Sequence, residues 1–315
     1  MSSVLATPTA GAASFDDVAT VNDMYGIIEK IGRQYFSEAK TSNRLGIFDK
    51  GFLEYGTTVE ESIVLAAESR VYDPDASSAT VCIPPDLITR YFNTWVDRDY
   101  CVSVRAKDVR AVLNGAMTVG DLAAASLASI DAGERREDYN DMKAVFAKFS
   151  AAAADGGYAR EGQRVTLEEG ATLTDLLETI RYISDDMSFD NDKYAGVEGL
   201  QSETSMENLV IVMPHKLLNK LDVRVFAAMF NLGKAEIVPQ IIPVDTTDGL
   251  VYVCDRDAFG ILTRDREFGM VENRNARSQD YILGVSKMFY YNPLYKAAVI
   301  DASVLDPQES EGGEG

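Results

Sequence analysis

The chain has one histidine, three cysteines and one tryptophan in 315 residues, so it is poor in the side chains that most enzymes rely on. With His215 the only imidazole, a two-histidine zinc site or histidine–metal cluster is excluded by count. A nucleophile triad fares no better: every serine or cysteine would have to share that one base, and no GxSxG elbow occurs. His215 follows Pro214 at an expected helix start, with no partner nominated for acid–base work, so a structural role is its reading. Cys82, Cys101 and Cys254 are odd in number and scattered, which argues against a disulfide framework or a CxxC zinc ribbon and fits reduced thiols. Apolar runs approaching the roughly 18 residues of a membrane span are missing. The start, Met1-Ser-Ser-Val-Leu-Ala-Thr-Pro, lacks the basic segment of a signal peptide, so the expectation is a soluble, unexported chain. Glycine-rich phosphate loops are absent too, since Leu232-Gly-Lys-Ala and Asp155-Gly-Gly-Tyr match neither the Walker nor the dinucleotide pattern.

Positive charge is also scarce. Thirty Lys and Arg face fifty Asp and Glu, a formal charge of −20, which disfavours a nucleic-acid reader with a basic groove. Acidic clusters are the remaining chemical candidates: Asp185-Asp186, Asp190-Asn-Asp192 and Asp255-Arg-Asp257 could offer oxygens to a hard cation. The second opens like an EF-hand loop but has Ala195 where the turn glycine belongs, so solvated loops are the better reading. No catalytic, cofactor or metal site is therefore expected, and the weight moves to a structural protein. A carboxylate-only, metal-dependent soluble enzyme stays as the alternative from another class.

What is present is a full complement of apolar residues, 46% of the chain, at a length near the roughly 250–300 residues where one core gives way to two. Residues 1–14 read as a mobile arm and Phe15–Phe36 as partly helical. Val59–Leu65, Val81–Ile83 and Tyr91–Val104 read as strands, separated by Tyr72-Asp-Pro-Asp75 and Pro84-Pro85. Thr118-Val-Gly-Asp121 resembles a capping box, and Met142, Val145, Phe146 and Phe149 recur at helical spacing up to Asp155. That pattern predicts one long helix, or two joined near Asp131–Arg136. Thr172 caps a second helix with a stripe of Leu173, Leu176, Leu177, Ile180 and Ile183. Leu209–Met213 is a continuous apolar run suited to a buried strand, with Pro214 at the first position of a helix; Asp222 caps another over Val223–Phe230. From Glu236 the spacing predicts strands at 237–244 (an edge, because of Pro239 and Pro243), 250–254, 259–263, 281–291 and 296–300, before an apolar-free tail from Asp306.

Two stretches carry a resemblance. His215-Lys-Leu-Leu-Asn-Lys-Leu-Asp-Val-Arg-Val-Phe-Ala-Ala-Met-Phe-Asn231, continuing through Ile241-Ile-Pro-Val244, Leu250–Phe259 and Lys296-Ala-Ala-Val-Ile300, is similar to the major capsid proteins of small short-tailed phages of the phi twenty-nine type. Gly56-Thr-Thr-Val-Glu-Glu-Ser-Ile63 with Tyr72-Asp73 resembles that family's extended loop. Together the two cover about 140 residues in collinear order.

The resemblance implies an α+β chain with the Hong Kong ninety-seven capsid fold. Its parts would be an N-terminal arm (1–44), an extended β-hairpin loop (45–107), a peripheral domain with a long spine helix (108–172), an axial domain (173–253), return strands to the peripheral sheet (254–303) and an acidic tail (304–315). It implies a structural subunit that builds hexamers and pentamers of an icosahedral or prolate shell around double-stranded DNA, held without sequence-specific contacts. Scaffolding and portal proteins would be its partners, no membrane would be involved, and assembly in the host cytoplasm would lead to the virion. An encapsulin-type compartment shares the fold and is the nearer alternative, but Met1–Ser14 is poor material for a cargo-docking helix. A long β arm without a core of its own would leave Phe52, Phe92, Trp95 and Tyr100 to pack on a neighbouring subunit, the alternative being packing inside their own.

Overall fold

The computed structural model describes residues 18–38, 43–54, 56–66, 86–105, 107–108, 118–155, 159–221, 240–246, 248–273 and 278–305. The expected strand at 81–83, the helix at 223–230 and both chain ends lie outside these residues. Helix and sheet are mixed, and the chain divides into two compact units, each assembled from separate stretches of sequence.

The first unit comprises residues 1–43, 96–138 and 263–287. Helix α1 (Val18–Glu38) turns Met24, Tyr25, Ile28 and Phe36 inward. Against them lie Val104 of β4 (Trp95–Arg105), Phe268 of β9 (Phe259–Asn273), and Tyr281, Leu283 and Val285 of β10 (Ser278–Tyr291). The core is closed by Ala123, Leu127 and Ile130 from the first half of α2 (Val119–Asp155). Tyr281 is fully buried, and its hydroxyl donates to the Tyr25 carbonyl at 3.0 Å.

The expected capping box starts α2: Thr118 Oγ1 accepts from the Asp121 amide, while Asp121 Oδ2 accepts from the Thr118 amide, both at 3.1 Å. The helix is a single piece of 37 residues, without the break near Asp131–Arg136 that two helices would have needed. Its buried stripe runs Ala123, Leu127, Ile130, Glu134, Asp138, Met142, Phe146, Phe149, Ala153, at steps of three and four. The charged centre of that stripe is what imitates a break in the sequence. Glu134 takes Arg266 Nη2 on one oxygen and Lys287 Nζ on the other, each at 2.7 Å, and Lys287 also reaches Asp138 at 2.5 Å.

The second unit comprises residues 44–95, 139–262 and 288–315. At its centre is a five-stranded sheet in the order β5 (Arg164–Thr166), β11 (Ala297–Asp301), β8 (Leu250–Asp255), β6 (Leu209–Pro214) and β7 (Gln240–Val244). Pairing is antiparallel at β11–β8 and β8–β6 and parallel at both rims, so Pro243 of β7 sits on an edge among the described strands. Both faces are covered. Val210, Val212, Tyr252 and Val299 meet Met142, Phe146 and Phe149 of α2, whereas Ile211, Met213, Val251, Val253 and Ile300 meet Leu176, Leu177, Ile180 and Ile183 of α3 (Leu173–Met187). Double burial explains the unbroken apolar run of β6, all six residues of which are inside. Thr172 caps α3 as its spacing predicts. Pro214, expected as the first residue of the next helix, instead ends β6 and caps the short α4 (His215–Lys220), where His215 Nδ1 lies 3.2 Å from the Val244 carbonyl.

Strand β9 runs ten residues past the predicted end at Thr263. The polar Arg264-Asp-Arg-Glu267 lies beyond that predicted end, yet Arg266 turns in to Glu134 and Phe268 into the first unit's core. In the second unit odd-numbered Phe259 and Ile261 pack with Tyr291 of β10; in the first, even-numbered Phe268 packs with odd-numbered Tyr281 and Leu283. Lys287→Met would leave Glu134 and Asp138 short of a buried cation and is expected to cost about 3–5 kcal/mol in chemical denaturation, without altering shape by far-ultraviolet dichroism.

Candidate subunit-contact surface

The second unit carries a hairpin, β2 (Val59–Val64) with β3 (Leu87–Phe92), that forms a two-stranded sheet of its own. Register pairs Val59 with Phe92, Glu61 with Arg90 and Ile63 with Ile88 on one face, and Glu60 with Tyr91, Ser62 with Thr89 and Val64 with Leu87 on the other. Since side chains alternate at period two, the faces meet different surroundings. The first lies on its own unit: Val59 is buried with Leu262, Met288 and Tyr290, and the Phe92 ring sits 4.6 Å from that of Tyr290. Ile63 and Ile88 pack on Ala195, Leu200 and Leu294.

Glu61 is the polar fastening of that face, accepting hydrogen bonds from the Tyr290 hydroxyl at 3.2 Å and from Asn292 Nδ2. Lys50, ion-paired with Asp257, lines the same 420 Å³ cavity as Glu61, Tyr290 and Tyr295. Burial raises the Glu61 carboxyl above its ordinary range, with Asp257 adding to the rise and Lys50 opposing it.

The opposite face, which also carries Glu60, Ser62 and Thr89, leaves three apolar side chains exposed among the described residues. Tyr91 is 65% exposed, Leu87 59% and Val64 58%, with a Ser62–Thr89 hydroxyl contact at 3.0 Å between them. No further strand pairs with either edge of the hairpin among the described residues. Such a ribbon offers both open backbone edges and an apolar face to another chain.

The four residues singled out from sequence do not converge. Phe52, at the end of β1 (Asp49–Phe52), is 67% exposed. Phe92 and Trp95 are half-buried within the second unit, the indole donating to Asn93 Oδ1 at 3.1 Å. Tyr100 is half-buried in the first unit's core, where desolvation and the nearby Asp138 push its hydroxyl up to about 12. Tyr91, Leu87 and Val64 were passed over, because one sequence does not say which of two adjacent aromatics, Tyr91 or Phe92, points outward.

Of the acidic clusters, Asp186 pairs with Lys193 at 2.5 Å, Asp192 lies 3.5 Å from Arg160, and Asp257 pairs with Lys50. No group of three or more potential ligands that could hold a metal is found among the described residues.

The model of a family described as Phi29-like phage major capsid protein matches residues 6–300. The major capsid protein of Bacillus phage GA-1 is 22% identical over 317 aligned residues, which span 96% of this chain and 65% of that protein's length. A chain of the capsid structure of Staphylococcus phage Andhra superposes with a TM-score of 0.66 at 12% identity, covering 84% of this chain and 85% of its own. One of the capsid structure of the cyanophage P-SCSP1u gives 0.54 at 11%, covering 84% and 89%. The fold is the Hong Kong ninety-seven fold of phage capsids.

Two expectations follow. Tyr91→Ser and Leu87→Ser should shift the subunit's unfolding free energy by no more than about 0.5 kcal/mol, whereas Phe92→Ala should cost more; equilibrium denaturation separates them. Because the raised Glu61 carboxyl binds its proton more tightly in the folded state, its contribution to stability falls as pH rises from the ordinary value of 4.5 to the raised one. Glu61→Gln is expected to flatten that part of the stability–pH curve.

Proposed function

The chain belongs to the Phi29-like phage major capsid protein family, and we infer from this that it is the subunit of a phage head, a structural protein that assembles with copies of itself. The observation that carries the inference is the β2–β3 ribbon: two open edges and an outer face of Val64, Leu87 and Tyr91 that the subunit does not cover. A second copy satisfies edges and apolar face together, and heterologous contacts of this kind close by rotation into pentamers and hexamers. Phe52, exposed at the end of β1, is assigned to this surface, and Phe92 and Trp95 support it from within the second unit; Tyr100 packs in the core of the first unit. The ribbon falls in the extended loop assigned to 45–107, α2 is the spine helix of a peripheral domain (108–172), 173–253 is the axial domain, and of the return strands assigned to 254–303, β9 and β10 are those for the peripheral sheet, whereas β11 joins β8 in the sheet of β6 and β7.

The charge of −20 suits a container for DNA, since a wall of the same sign as the genome does not hold it by the phosphates. Packaged double-stranded DNA is then enclosed without sequence-specific contacts, and a scaffolding protein and a portal protein are the partners that would start and shape the shell in the host cytoplasm. No helix among the described residues is long and apolar enough to cross a membrane.

Negative-stain microscopy of the purified chain, alone and with the scaffolding protein from the same genome, tests the proposal. Closed shells or ring-shaped capsomers are expected, and a monodisperse 34.5 kDa particle under every condition would overturn it. Like charge opposes association, so added salt or divalent cations, which screen over roughly 8–10 Å near physiological ionic strength, should raise the shell yield. A yield that stays flat or falls across the titration would refute the electrostatic part.

A further inference from the structure

Side chains hold the β2–β3 ribbon to its seat, since it shares no backbone ladder with another strand among the described residues. The seat is also incompletely packed. A 420 Å³ cavity opens beneath the inner face, lined among others by Lys50, Leu53, Val59, Glu61, Asp257 and Tyr290. Atoms that border such a gap lack neighbours on one side, so dispersion holds the ribbon less firmly than a close-packed core would.

Glu61 is the one carboxyl that the ribbon itself contributes to the lining of that cavity. It is half-buried and accepts from the Tyr290 hydroxyl at 3.2 Å and from Asn292 Nδ2. Around it stand Arg90, opposite on β3 and exposed, Lys50 of β1 paired with Asp257, Asp255 beside Asp257, and the hydroxyls of Tyr290 and Tyr295. Burial raises both hydroxyls, which therefore keep their protons at neutral pH. Burial raises Asp255 as well, but that carboxylate accepts from the Asp257 amide and belongs to the seat, not to the ribbon.

For Glu61, burial favours the neutral form, while the Tyr290 hydroxyl and Lys50 favour the ionised one; burial prevails. Lifting the ribbon would return the carboxyl to water and to its ordinary value. The seated ribbon therefore binds the proton more tightly than the lifted one, and seating is strongest below 4.5 and weakens as pH rises through the raised value. We propose that the ribbon is a strap with Glu61 as its catch, held fast on Tyr290 and Asn292 when the carboxyl is protonated and loosened when it is ionised. Loosening lets the outer trio Val64, Leu87 and Tyr91 shift to meet a second copy, a purpose that rests on the capsid-subunit reading.

The one tryptophan of the chain reports on the seat, because Trp95 follows β3 closely and packs against Val59, Leu262, Met288 and Tyr290. Its emission from the dilute, unassembled full chain is followed from pH 4.5 up to neutrality, beside far-ultraviolet dichroism. The wild type is expected to shift to the red as pH rises, at constant dichroism. Glu61→Gln keeps the shape and cannot ionise, so its emission is expected to stay at the seated wavelength throughout. Lys50→Met removes the cation that favours the ionised form and is expected to move the transition to higher pH. A wild type without the shift overturns the proposal, as does a Glu61→Gln chain that shifts like it, or a Lys50→Met midpoint that stays or falls. Dichroism lost together with the shift marks unfolding and overturns it too. All of these leave the capsid reading standing; a chain that makes no shells at any pH overturns that reading, whatever its emission does.

Discussion

Two carboxylates in the middle of a long helix, Glu134 and Asp138, lie in a water-free interior against Arg266 and Lys287. Left alone, each would cost several kcal/mol to desolvate, and the arrangement holds only because both cations arrive from the sheet in the right register. A slip of β10 by one residue would carry Lys287 to the opposite face, leaving Glu134 to Arg266 alone and taking the ammonium from Asp138. The quartet therefore ties helix to strands at one setting. All four residues belong to the first unit, whose core they hold together.

Around it, the two units dispose of apolar surface differently. The second unit's sheet buries both faces between α2 and α3 and leaves little for a partner. The β2–β3 ribbon buries one face only. It is short, has no core beyond the residues it leans on, and keeps Tyr91, Leu87 and Val64 in water. A marginal ribbon with an apolar outer face is a poor ending for a monomer and a sound beginning for an assembly. The excess of negative charge works the other way, weakening encounters between copies and contacts with DNA alike. A contact that overcomes this repulsion is local and apolar, which is the character of the ribbon's outer trio Val64, Leu87 and Tyr91.

Local rules were legible wherever the chain obeys them one element at a time. The capping boxes at Thr118 and Thr172, the stripe of α3 and the apolar run of β6 appear where side-chain periodicity places them. They failed where a distant partner changes the meaning of a residue. The charged stretch Asp131–Arg136 left one helix or two open until Arg266 and Lys287 stand beside Glu134 and Asp138, and the strand predicted to end at Thr263 runs on because a salt bridge and a core take up Arg266 and Phe268. Within the acidic Asp190-Asn-Asp192, Asn191 accepts from Lys296, about a hundred residues away, a partner that no local pattern announces.

The sequence by itself determined that the chain is acidic, mixed in helix and strand, short of catalytic groups, and similar to a capsid family, because composition, periodicity and motif order are properties of the chain alone. Tertiary structure decided which aromatics face out. Tyr91 and Phe92 are neighbours of nearly equal hydrophobicity, and only the pairing of β3 with β2 and the seating of that hairpin on Tyr290 send one into water and the other into the core. Burial is set by contacts far apart in sequence, and a pattern read along one strand contains its two faces without saying which of them is inside.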